Sequence, residues 1–106
     1  MVIRRRGGKI VGFEADSHAG YADAGSDIVC SGISALVQSA VLGLAQVAQV
    51  EPTYSVGDAM VACALPEGLT QQARERADMI LETMLLGLAA IAEQYADNLD
   101  ITQREV

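Results

Sequence analysis

Residues 28 to 50, I-V-C-S-G-I-S-A-L-V-Q-S-A-V-L-G-L-A-Q-V-A-Q-V, carry no charged side chain. An uncharged run of this length has two outlets: it spans a membrane, or it forms a helix that hides one face in a core. At about 100° per residue, Ser31, Ser34, Gln38, Gln46 and Gln49 fall within about 120° of one another, leaving the other face to Val29, Ile33, Leu36, Val37, Ala40, Leu44 and Val47. The pattern is that of an amphipathic helix, so no membrane partner is expected. Asp27 or Ser26 is the expected N-cap, which places Cys30 in the first turn, and Pro52 is the expected stop.

The remaining segments fit around that helix. Met1–Arg6 and Lys9–Glu14 flank Gly7-Gly8, a pair suited to a tight hairpin turn, and Ala15–Ser26 has no period of either kind and reads as a loop. Thr53–Val56 and Ala59–Leu65 around Gly57-Asp58 read as a second hairpin. Thr70 opens a second helix, with Ala73, Ala77, Ile80, Leu81, Met84, Leu88, Ile91 and Tyr95 at helical spacing, and Asn98–Glu105 reads as a last strand. The order ββαββαβ predicts an α+β sandwich: a mostly antiparallel sheet with two long helices packed on one face, in a single domain over residues 1–106. Leu85, Leu86 and Ala89 widen the second helix's apolar surface beyond one stripe, which favours a homodimer. Arg4-Arg5-Arg6 is expected to send alternate side chains to solvent.

A net charge of −7 and an aromatic content of 4% argue against phosphate binding and base stacking, so no direct nucleic-acid partner is expected. A basic peptide or protein is the natural charged partner. Two cysteines make no disulfide framework, and M-V-I-R-R-R-G-G-K lacks the apolar region of a secretory signal, so a reducing, cytoplasmic location is expected.

The stretch S-H-A-G-Y-A-D-A-G-S-D-I-V-C-S-G-I-S, residues 17 to 34, holds the only histidine and one of the two cysteines. A thiol attacks carbonyls as thiolate, and its ordinary pKa of about 8.5 is lowered by a helix N-terminus or an imidazolium. Cys30 has access to both, because His18 begins a connection that can return to it. Asp27 can cap the helix or orient the imidazole, and Ser34 lies one turn after Cys30 on the same face. The first-turn N–H groups can receive an oxyanion. Gly20 and Gly25 give the loop hinge freedom, Tyr21 offers an apolar contact for a peptide, and Glu14, Asp16 and Asp23 would give the cleft an acidic rim. The competing reading is structural: Cys30 packed at a helix start beside a recognition loop. No paired zinc-type spacing is present, so neither metal nor cofactor is expected, and Cys63, between Ala62 and Ala64, reads as a small buried hydrophobe.

The run H-A-G-Y-A-D-A-G-S-D-I-V-C-S-G-I-S-A-L resembles the signature of the ribosomal-processing cysteine proteases, the Prp family: G-H-A-G-Y, a short variable loop, G-x-D-I-V-C-A, and a Ser four residues after the Cys. The resemblance extends over the chain's length and element order. It implies His18 as general base, Cys30 as nucleophile, and supporting roles for Asp27 and Ser34. It further implies a homodimeric cysteine endopeptidase that removes a short N-terminal extension from a large-subunit ribosomal protein. Ser17 stands where the pattern has Gly and Ser31 where it has Ala, departures that bear on substrate preference rather than reaction type. The alternative from another class is a non-catalytic acidic adaptor that binds a ribosomal or ribosome-assembly protein.

Overall fold

Gly7 and Gly8 take φ of 59° and 79°, the region glycine enters without a Cβ penalty, and this closes the first hairpin. The computed structural model describes residues 1–16, 24–57 and 60–106. Strands β1 (Val2–Arg6), β2 (Lys9–Asp16), β3 (Thr53–Val56), β4 (Met60–Ala64) and β5 (Thr102–Glu105) form one sheet in the order β3-β4-β2-β1-β5. Among the described residues only the β1–β5 pairing is parallel. Helices α1 (Ala24–Leu42), extended by a π-helical turn over Gly43–Val47, and α2 (Gln71–Gln94) complete the α+β fold.

The register explains the core. Ile3 lies opposite Phe13, and Phe13 opposite Cys63, so all three point to the same side of the sheet, where all are buried. On that side α2 contributes Ala77, Leu81, Met84, Leu85 and Leu88, and α1 adds Val37 and Ala40, followed by Leu44 from the π turn. Burying one such Leu side chain is worth roughly 1.5–3 kcal/mol. The Thr70 side chain caps α2, accepting from the Ala73 N–H at 3.1 Å. The two helices run antiparallel and touch where one presents glycine: Gly32 against Ile91, Gly87 against Leu36, Gly43 against Ile80. A groove on the other flank of α2 is lined by Leu86, Ala89, Ile101 and Gln103, which marks that flank as the β5 side; α1 therefore lies on the β4 side.

Several details differ from the sequence-based expectation, among them a last strand that begins at Thr102 rather than Asn98. Helix α1 begins at Ala24, so Ser26 and Asp27 lie inside its first turn rather than at its cap, and Cys30 lies in the second turn. The helix ends before Pro52. The π turn closes through the Ala48 N–H to Gly43 carbonyl bond (2.9 Å), and Gln49 and Glu51 turn left-handed at φ 57° and 51°. That wider turn shifts the helical phase, so Ala48 is buried (2% exposed) while Val47, assigned to the apolar face, is 70% exposed. Leu85 turns into the core while Leu86 stays 72% exposed. The alternation expected of Arg4-Arg5-Arg6 holds, with Arg5 facing the helices: its guanidinium donates to both carboxylate oxygens of Glu82 (2.7 and 3.0 Å), to the Gly8 carbonyl and to Gln103. This pairing holds the Glu82 carboxyl below its usual range and raises the Arg5 pKa.

Ile28–Val47 is long and apolar enough to cross a membrane by length and composition, with a mean hydropathy of 1.9. In the fold its apolar face packs through Val29, Val37, Ala40 and Leu44, while Ser31, Ser34, Gln38 and Gln46 are exposed on the other, as an amphipathic core helix requires.

Candidate active site

Cys30 is half-buried, between the buried Val29 and the exposed Ser31. Gly32 packed on Ile91 sets Cys30 level with the last turns of α2. The β2–β4 register pairs Asp16 with Met60, so β2 ends beside the tip of the second hairpin. The Met1 ammonium donates to the Asp100 carbonyl (2.7 Å), tying the start of β1 and the segment after α2 to this same end. The start of α1, the end of α2 and the end of β2 therefore converge on one end of the molecule, where the segment between β2 and α1 leaves the sheet.

Of the residues singled out from sequence, the structure brings Cys30 and Ser34 one helical turn apart, with Ser34 exposed. Gly25 lies in the first turn of α1, as does the backbone of Asp27. His18, Gly20 and Tyr21 lie outside the described residues, and so does the Asp27 side chain. The acidic rim needs one correction: Glu14 forms an ion pair with Arg4 on the side of the sheet away from the helices, where it faces no cleft at Cys30. Among the described residues no group of three or more His, Cys, Asp or Glu side chains could hold a metal ion.

The second-turn position changes the electrostatics. At 1.5 Å rise per residue, Cys30 lies roughly 9 Å along the axis from Ala24, and the helix dipole acts mainly within the first turn. The unpaired N–H groups belong to the first turn, so Cys30 receives less help from the dipole than a first-turn cysteine would. An imidazole then has more of the thiol activation to supply. The other cysteine contrasts sharply. Cys63 is buried within β4, and removal from water pushes its thiol up to about 11, which leaves it protonated at neutral pH.

Sequence reasoning missed an apolar ledge beside this end. Tyr54 and Val56 share the helix side of β3, since they lie opposite Cys63 and Val61, yet β3 is the sheet's edge and the helices do not cover it. Val56 is accordingly 66% exposed there. The alternation in T-Y-S-V was the only available signal, and it could not tell a core face from an uncovered one.

The chain matches the model of the family described as cysteine protease Prp over residues 1–100. It is 37% identical over 103 residues to the ribosomal processing cysteine protease Prp of Bacillus subtilis, covering 94% of this chain and 92% of that one. It is 29% identical over 97 residues to the protein of that name from Staphylococcus aureus, covering 92% and 90%. A crystal structure from Streptococcus mutans superposes with a TM-score of 0.83 at 26% identity, covering 99% of this chain and 92% of the other. The Staphylococcus aureus protease with a covalently linked product peptide gives a TM-score of 0.78 at 25% identity, covering 96% and 97%. With a family model spanning nearly its whole length and a relative more than one-third identical, this chain belongs to the cysteine protease Prp family.

Proposed function

We propose that this protein is a cysteine endopeptidase that removes a short N-terminal extension from a large-subunit ribosomal protein, with Cys30 as nucleophile and His18 as general base. The observation that carries the assignment is the difference between the two thiols. Cys63 is sealed in the sheet with its thiol held protonated, which leaves the half-buried Cys30 as the thiol a peptide can reach. In the reaction His18 takes the Cys30 proton as the sulfur attacks the scissile carbonyl. The tetrahedral intermediate collapses as His18 returns that proton to the leaving amine, and water deprotonated by His18 then cleaves the thioester. Asp27 orients the imidazole, and Ser34 hydrogen-bonds the sulfur or the peptide. Gly20 lets the connecting segment close over substrate, with Tyr21 against the peptide and Gly25 at the junction with α1. Incubation with the extended ribosomal protein, followed by intact-mass spectrometry, tests this. Loss of a discrete N-terminal piece with the unmutated enzyme, and not with Cys30→Ser or His18→Ala, is the expected result; binding without cleavage would favour the adaptor.

The protein acts in the cytoplasm as a homodimer. Support for a dimer comes from a groove of about 380 Å³ between α2 and the end of α1, lined by Leu36, Ala40, Gly43, Val47, Met79 and Ile80 without a charged group, beside which Leu42 is also exposed. An isologous contact brings the same patch together from both copies, so an uncharged apolar patch suits it. A sedimentation mass of one chain at micromolar concentration would remove the dimer.

A further inference from the structure

Ion pairs among the described residues are unevenly placed. At the end of the molecule away from Cys30, Arg5, Arg6, Lys9 and Arg74 are each paired with Glu82, Glu67 or Asp78. At the Cys30 end, Glu93, Asp97 and Asp100 take part in none of the ion pairs among the described residues. Glu93 also lies in the last turn of α2, which contains no basic residue, so its charge adds to the negative end of the helix dipole instead of offsetting it.

Glu93 and Asp100 border a second groove, of about 590 Å³, between the C-terminal half of α2 and the approach to β5. Leu86, Ala89, Ala92 and Ile101 supply an apolar floor, and Glu93 and Asp100 stand at its wall. A second copy of this chain is the poorer occupant, because a twofold contact across this wall would bring like carboxylates near one another with, among the described residues, only the Met1 ammonium, which already donates to the Asp100 carbonyl, to offset them. A segment with apolar side chains at helical or strand spacing and flanking Lys or Arg satisfies both floor and wall. The groove also has a fixed relation to Cys30. Gly32 touches α2 at Ile91 on one flank, and the groove holds Ala92 and Glu93 on the other. Cys30 lies about 200° around α1 from Gly32, on the flank away from α2, so the separation is two helix widths, about 20 Å, which about six extended residues span.

We propose that this groove is an exosite for a Lys/Arg-rich segment of the protein substrate, engaged at the same time as the scissile peptide occupies the Cys30 site. The proposal rests on the endopeptidase reading above and adds to it where affinity for the intact substrate comes from. A protein that binds ribosomal RNA carries such segments, since phosphate contacts are made by Lys and Arg.

The test compares two substrates: the intact extended ribosomal protein, and a short synthetic peptide spanning only the scissile bond. Glu93→Lys/Asp100→Lys is predicted to raise KM for the intact protein about ten-fold and to leave kcat/KM for the peptide within about two-fold. The same reversal at Glu75, toward the other end of α2, should change neither. For the unmutated enzyme, moving from 50 to 300 mM salt should raise KM for the intact protein and not for the peptide, and the double variant should lose that difference. Equal kinetics of variant and unmutated enzyme on both substrates would overturn the exosite. A loss of dimer mass in the double variant would overturn it too, by giving the groove to a second copy. An equal fall on both substrates with an unchanged melting temperature would also overturn it, by placing the carboxylates in the peptide site. Absence of cleavage of either substrate by the unmutated enzyme would instead remove the endopeptidase reading.

Discussion

The two cysteines occupy opposite kinds of place. Cys63 stands in β4 opposite Phe13, 3% exposed, with its thiol pushed up to about 11; Cys30 lies half-buried in the second turn of α1, one turn before the exposed Ser34. The first is a packing residue whose sulfur is worth its volume, and the second is a reachable thiol at the point where three elements meet. The comparison teaches that within one small chain burial alone separates inert from available sulfur. Activation then has to come from the segment that carries His18.

Several substitutions press on that contrast, the largest in effect being Cys30→Ser. It is predicted to lower cleavage by about 10³-fold or more, because a hydroxyl ionises far less readily than a thiol, and single-turnover kinetics on the intact substrate reads it. Cys63→Ala, in the same assay, should leave kcat/KM within about two-fold, and a comparable loss there would break the distinction. On stability the order reverses. Gly12→Ala puts a Cβ 2.8 Å from the Cys63 carbonyl oxygen, a backbone atom that cannot move aside, so it should cost about 1–3 kcal/mol in denaturant unfolding. Cys63→Ala, which leaves a small void beside Phe13, should cost about 1 kcal/mol.

The smallest effect concerns pH. The Cys63 thiol is protonated in the folded protein up to about 11, above the ordinary value of 9.0 expected when unfolded. The folded state therefore binds more protons across that interval. The stabilisation is fully present below about 9 and is lost as pH rises toward about 11. Unfolding at fixed denaturant from pH 8 to 11 should show a decline that Cys63→Ala lessens.

Much of the fold was legible because local signals agreed with tertiary needs. Gly7-Gly8, Thr70 and the α2 stripe each carry their own geometry, and the uncharged run had only one apolar face to bury. What could not be read were effects set by neighbours. Nothing in Q-V-A-Q announces a π turn, so Ala48 rather than Val47 enters the core. Arg5 looks like its neighbours Arg4 and Arg6 until the β1 register turns it toward Glu82. At the site, spacing made Cys30 a candidate and the family resemblance singled it out, whereas its depth in α1 depended on where the helix starts. The apolar ledge of Tyr54 and Val56 depended on how far the helix layer reaches across the sheet.

The most direct single measurement is peptide mapping after treatment with a chloromethyl ketone that carries the sequence preceding the scissile bond. The expected result is one adduct, on the peptide containing Cys30, formed in step with loss of cleavage activity and absent from Cys63. An adduct on Cys63, or inactivation with Cys30 unmodified, would contradict the assignment of the nucleophile.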